Sequence, residues 1–185
     1  MKIIDVNVLK FHAVSNTVRD SEFHVHPGPQ HDTVEKVLVI KCDDGTEGIA
    51  FGPMDERVIL STVKEILIGE DPFFRERIWR RLVQLQRLRR NLTEDTLCAV
   101  DVAIWDICGK KLNLPVSKIL GQYRETIPAY ASIMVGDDIP GGLDTPEAYA
   151  SFAASLVNQG YKAIKLHTWM PPIVPEPSVK MDLEA

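Results

Sequence analysis

The order strand, loop, helix, strand over residues 126–167 constrains this chain more than any other feature. TIPAYASI (126–133) reads as a short strand and GDDIPGGLD (136–144) as a Gly/Pro-rich loop. Thr145-Pro146-Glu147 caps a helix over 146–159 that closes at Gly160, and a second strand runs over 161–167. A crossover of that length joins strands that lie parallel in one sheet. An α/β section therefore begins near residue 125.

The residues before it follow another rule. KIIDVNVLKF (2–11) and TVEKVLVIKC (33–42) alternate apolar and polar side chains, as half-buried strands do. DDGT (43–46) is a hairpin turn in which Gly45 can take positive φ, and EGIAFG (47–52) continues as a third strand. The expectation is a three-stranded antiparallel meander. Between its first two strands, VSNTVRDSEFHVHPGPQHD (14–32) reads as a long polar loop, disordered or functional.

Helical spacing takes over at 55–68. Asp71-Pro72 opens a second helix that runs to about Arg90, with the proline tolerated at the first helical position. Its basic end, Arg87 to Arg90, reads as a solvated helix terminus favoured by the dipole. TEDTLCAVDVAIWDICGKKLNLP (93–115) starts with a threonine cap and stops at Pro115. Leu97, Val100, Ile104, Ile107 and Leu112 give it an apolar side, which Asp101 and Asp106 interrupt. Residues five apart do not stack on a helix, so these carboxylates read as structural hydrogen-bonding groups rather than a metal pair.

The chemistry sits in GYKAIKLHTWMPP (160–172). Side chains alternate along a strand, so Ala163, Lys165 and His167 share one face, and Ile164 and Leu166 the other, which should pack on helices. A polar face is unexpected in a parallel sheet, whose two sides are normally covered. It fits a (β/α) barrel, where inward residues at the carboxyl ends of strands line the active site. Histidine handles protons near neutral pH, and lysine does so once burial, a cation or a metal lowers its pKa. The bland alternative is a solvated lysine and a histidine satisfied by backbone.

Charge and cysteine content exclude other classes. A net charge of −5 and a pI near 5.5 argue against non-specific nucleic-acid binding. No apolar run approaches a membrane span, and the start, MKIIDVNVLKF, has no signal-peptide pattern. A cytoplasmic protein is expected. Cys42, Cys98 and Cys108 form no CxxC pair and read as reduced, core-filling thiols.

AVDVAIWDICGKKLNLPVSKILG (99–121), YAS (130–132) and GYKAIKLH (160–167) together resemble the enolase superfamily, in its mandelate racemase and muconate-lactonizing branch. The resemblance covers essentially the whole chain. It implies an α+β capping domain over 1–124, then the first strands of an incomplete TIM-type barrel over 125–185. It also implies removal of the proton α to a carboxylate, with Mg²⁺ stabilising the developing charge. Lys165 matches the first lysine of the family's Lys-x-Lys and would touch the substrate carboxylate or tune its neighbour. His167 stands at the second position and is the candidate base.

That histidine departs from the common pattern and is compatible with an acid-sugar dehydratase, one base removing the α-proton and an acid helping the β-hydroxyl leave. A racemase or epimerase of the same superfamily, or a non-catalytic capping remnant, are the alternatives. The 14–32 stretch matches the lid of such capping domains, and Phe51 to Asp55 a second lid piece. Arg19, His24, His26 and His31 then become candidate contacts for a hydroxylated small-molecule carboxylate. Zinc binding by the three lid histidines is the competing reading, without ligand spacing to support it. The family's metal carboxylates lie on later barrel strands, so none is assigned in this chain. The full-length protein is expected to be a homo-oligomer, and the isolated chain inactive.

Overall fold

The computed structural model describes residues 1–19, 25–89, 91–134, 143 and 145–167. Strands β1 (Ile3–Arg19), β2 (Val25–Cys42) and β3 (Glu47–Phe51) form one antiparallel sheet in the order β1-β2-β3. Register runs from Val37 opposite Phe51 to Lys41 opposite Glu47. The turn after β2 closes as its sequence requires: Gly45 has φ +85°, and Cys42 exchanges backbone hydrogen bonds with Thr46 and Gly45.

The stretch 14–32 is not the expected loop. Within the described residues β1 continues through Arg19 and β2 begins at Val25, so the meander carries a long two-stranded ribbon. Pro27 and Pro29 obscure this in the sequence, because a proline removes a ladder donor. In a ribbon each strand needs a partner on one side only, and β3 accompanies β2 only from Val37 onward, so the missing donors are tolerated.

Helix α1 (Glu56–Val58) passes through a π-helical turn (Ile59–Val63) into α2 (Lys64–Leu67). A 3₁₀ turn (Pro72–Phe74) leads to α3 (Arg75–Leu88), then α4 (Glu94–Leu112) and the short α5 (Val116–Ile119) follow. Thr93 caps α4 through its hydroxyl on the Thr96 N–H, and Asn113 ends it in the left-handed region at φ 52°. The sheet's inner face and these helices enclose a core of Val6, Leu38, Ile40, Ile59, Ile78, Leu82, Ile104 and Ile107, all at most 1% exposed. Leu112, expected on the apolar side of α4, is half exposed instead, because the helix ends there.

Gly48 explains how closely α4 approaches the sheet: a Cβ there would stand 2.0 Å from the Ala103 carbonyl oxygen. Asp106 and Asp101 bind protein groups, as their spacing suggested. Asp106 accepts the Ile49 N–H and the Lys110 ammonium, and Asp101 takes the Arg75 guanidinium, which also lies 4.0 Å over the Trp105 ring. Two of the three cysteines fill the core; Cys98 is exposed on α4, a departure from the expected burial that follows from its position on the solvent side of the helix.

The chain divides into two compact units, Met1–Ala13 with Thr33–Tyr123, and Val14–Asp32 with Arg124–Ala185. In the second unit, β4 (Ala131–Met134) pairs parallel with β5 (Ile164–His167), and α6 (Pro146–Asn158) is the crossover. Thr145 caps α6 on the Ala148 N–H, and Gly160 closes it at φ +102°. β4 starts later than the sequence indicates because Pro128 sits in the expected strand. Ala131, Ile133, Tyr149 and Leu156 form a small core, with Leu143, Ala153 and Ile164 against it.

Candidate functional site

The parallel ladder fixes which side chains share a face. Ala131 is opposite Ile164 and Ile133 opposite Leu166; Ser132 is opposite Lys165 and Met134 opposite His167. Ile133 and Ile164 belong to the core under α6, so the alternate positions, Ser132 and Lys165 among them, belong to the other face. Ser132 and Lys165 are both exposed. Leu166 departs from its expected packing on helices: it lies 47% exposed, outside the small core formed by Ala131, Ile133, Tyr149 and Leu156.

Lys165 and His167 thus occupy alternate positions of β5, about 6.6 Å apart along the strand. Both lie at its carboxyl end, beside the carboxyl end of β4. A lysine ammonium at such a place offers three donors to a carboxylate, and an imidazole one step further can accept a proton. The sequence pointed to this pair. It did not point to Ser132, whose place beside Lys165 follows only from the parallel register.

Of the remaining candidates, Arg19 ends β1, and His26 and His31 lie on β2. His31 is exposed on β2, its Nδ1–H donating to the Pro29 carbonyl at 3.0 Å. His24 lies outside the described residues, as do the side chains of Arg19, His26 and His167. The ribbon segment Val14–Asp32 groups in one compact unit with the residues that carry β4 and β5. Among the described residues no group of three His, Cys, Asp or Glu is placed to hold a metal ion.

A concavity of about 670 Å³ lies elsewhere, on the outer face of the three-stranded sheet, with Leu9, Phe11, Val39, Ile49 and Phe51 in its lining. Its carboxylates, Asp5 and Glu47, are already engaged by Lys64 and Lys41. An apolar face with neutralised charges offers no proton chemistry, so size alone does not mark the site. No helix among the described residues is long and apolar enough to cross a membrane.

Comparison with known proteins shows what shares this architecture. The mandelate racemase / muconate lactonizing enzyme, N-terminal domain family matches residues 13–121. D-galactarolactone cycloisomerase of Agrobacterium fabrum is 35% identical over 137 residues, covering 70% of this chain and 35% of that protein. A D-galactonate dehydratase family member of Pseudarthrobacter chlorophenolicus is 33% identical over 144 residues, 74% of this chain and 33% of its own length. The crystal structure of D-glucarate dehydratase from Agrobacterium tumefaciens complexed with magnesium superposes with a TM-score of 0.91 at 47% identity. That match covers 100% of this chain and 49% of the dehydratase. The chain spans about a third of the length of the curated relatives it matches.

Proposed function

Because this chain belongs to the mandelate racemase / muconate lactonizing enzyme family, we propose that it is the amino-terminal part of an acid-sugar dehydratase. In this reading residues 1–124 are the capping domain and 125–185 open a (β/α) barrel. His167 is the base that takes the α-proton of an aldonic or aldaric acid. The C–H electron pair passes into the enediolate, the β-hydroxyl departs with a proton as water, and the enol product tautomerises to a 2-keto-3-deoxy acid. Lys165 binds the substrate carboxylate and, as a neighbouring cation, favours neutral imidazole on His167.

The observation that carries the proposal is the parallel β4–β5 pair, because Lys165 and His167 hold alternate positions at the carboxyl end of β5, beside the carboxyl end of β4. The dehydratase names of two relatives support the reaction class. Arg19, His24, His26 and His31 serve as contacts for substrate hydroxyls, a role supported by the grouping of Val14–Asp32 in one compact unit with β4 and β5.

Magnesium, the ion bound by the Agrobacterium tumefaciens relative, would supply positive charge for the enediolate. The described residues of this chain do not fit it, because no three His, Cys, Asp or Glu among them stand close enough to hold an ion. The test is a screen of the full-length protein against aldonic and aldaric acids, read by formation of a 2-keto-3-deoxy product. Dehydration of one or a few members supports the reading; inactivity on the whole panel, with α-epimerisation instead, would replace it by a racemase.

A further inference from the structure

The three-stranded sheet is apolar on both faces. Leu38 and Ile40 of β2 enter the core, whereas Val37 and Val39, which alternate with them, belong to the outer face with Leu9, Phe11, Ile49 and Phe51. An antiparallel sheet with one face on helices normally turns polar side chains to the other. Here Leu9, Phe11 and Phe51 are 47%, 51% and 75% exposed, and they line one concavity. A contiguous apolar patch of this kind marks a contact surface.

Charge indicates what covers it. The charged residues of the lining are Asp5, Lys41 and Glu47. Lys64 reaches Asp5 at 2.6 Å, and Lys41 stands opposite Glu47 at 3.4 Å. Two carboxylates and two ammonium groups leave the face without net charge, although the chain carries −5. Nucleic acid or an anionic lipid surface calls for a basic face, so neither fits. A second copy of this chain does fit, because its own Lys41 and Glu47 offer each sign to its opposite, where a net-charged face would repel itself.

The sheet edges indicate how it is covered. On β3, Asp106 accepts the Ile49 N–H and Lys110 donates to the Glu47 carbonyl. At the start of β1, Ile3 exchanges backbone hydrogen bonds with Gly69 and Glu70. These engaged groups oppose the addition of a strand along either edge, and stacking of face on face is left.

We propose that this outer face is the contact between two copies of the chain. A two-fold axis running along the strands lays apolar end on apolar end and brings Lys41 of each copy within reach of Glu47 of the other. The two sheets then stand about 10 Å apart with interdigitating side chains. The contact needs no part of the proton chemistry at Lys165 and His167.

The test is sedimentation of the full-length protein over a range of concentrations, with circular dichroism to check that each variant folds. The wild type should sediment as a dimer or another even-numbered assembly. Leu9→Glu should raise the dissociation constant of the pair by at least about tenfold, because it buries a carboxylate at the contact, while Leu9→Met leaves it unchanged. Lys41→Glu and Glu47→Lys, both at exposed positions, should each weaken self-association, and mixing the two proteins should give a mixed dimer. An assembly that Leu9→Glu leaves intact, or charge variants that form no mixed dimer, overturns the proposal. So does a wild type that is monomeric throughout. In that case Leu9→Cys tells the other occupants apart: a thiol closed to reagent means that the chain's own continuation covers the face, and an open one leaves the face to a different protein.

Discussion

The Asp106 carboxylate accepts the backbone N–H of Ile49 at 2.9 Å, joining α4 to β3 across 57 residues of sequence. The same oxygen takes the Lys110 ammonium at 2.7 Å, and that ammonium also donates to the Glu47 carbonyl. The strand β3 lies at the edge of its sheet, and this helix side chain satisfies a donor there. Asp106→Ala leaves that N–H without its acceptor and should destabilise the protein by about 1–3 kcal/mol. Urea denaturation of the variant checks this; Asp106→Asn, which keeps an acceptor oxygen, should lose less.

Gly48 gives a sharper steric prediction. The Cβ of an alanine would stand 2.0 Å from the Ala103 carbonyl oxygen and 2.6 Å from Ile107 Cγ1, and neither a helix backbone nor a packed core atom can retreat cheaply. Gly48→Ala should cost about 3 kcal/mol. Thermal melting reads it, and an unchanged midpoint would mean that α4 does not lie this close.

The cysteines separate by exposure. Burial, with the charges of Asp44 and Asp43, pushes the Cys42 thiol up to about 11, and burial also raises Cys108. Cys98 is exposed. Native protein at pH 8 should therefore label quickly at Cys98 alone among the three, and at Cys42 and Cys108 only on unfolding. Peptide mapping after a timed thiol reagent pulse distinguishes them.

Acid should weaken the capping unit before its core is disturbed. The Lys64 ammonium, 2.6 Å from Asp5, holds that carboxyl below its ordinary value. Burial pushes Glu70 upward, but Arg77 and Arg81 outweigh it and hold its carboxyl low. A carboxyl depressed in the folded state contributes stability above its unfolded pKa and loses it as pH falls through the folded one. The melting temperature should be flat from pH 7 to about 5 and fall below about 4. Lys64→Met should lower the plateau and reduce the slope; an identical profile would remove Asp5 as a contributor.

Much of this architecture is legible in the residues themselves. The alternation over 33–42, the DDGT turn and the caps Thr93 and Thr145 each stand where local chemistry places them. So does the parallel pair, because a helix of that length between two short strands leaves little choice. The ribbon was hidden by Pro27 and Pro29, which oppose a strand reading unless one edge is known to be free. The π-helical turn at Ile59–Val63 has no local signal that periodicity could detect. For the site, strand alternation was enough to put Lys165 on the face away from α6. Ser132 at its side, and the Thr96 hydroxyl that accepts the Asp55 N–H, depend on contacts 33 and 41 residues distant, which no local pattern encodes.

The central claim is that the imidazole at position 167 removes a substrate proton. In the full-length protein, His167→Asn should lower exchange of the acid sugar's α-hydrogen for deuterium by at least about a hundredfold, the usual worth of a positioned base. Substrate should still bind, and Lys165→Met should instead weaken binding. Exchange by His167→Asn at the wild-type rate, followed by NMR in D₂O, would contradict the account.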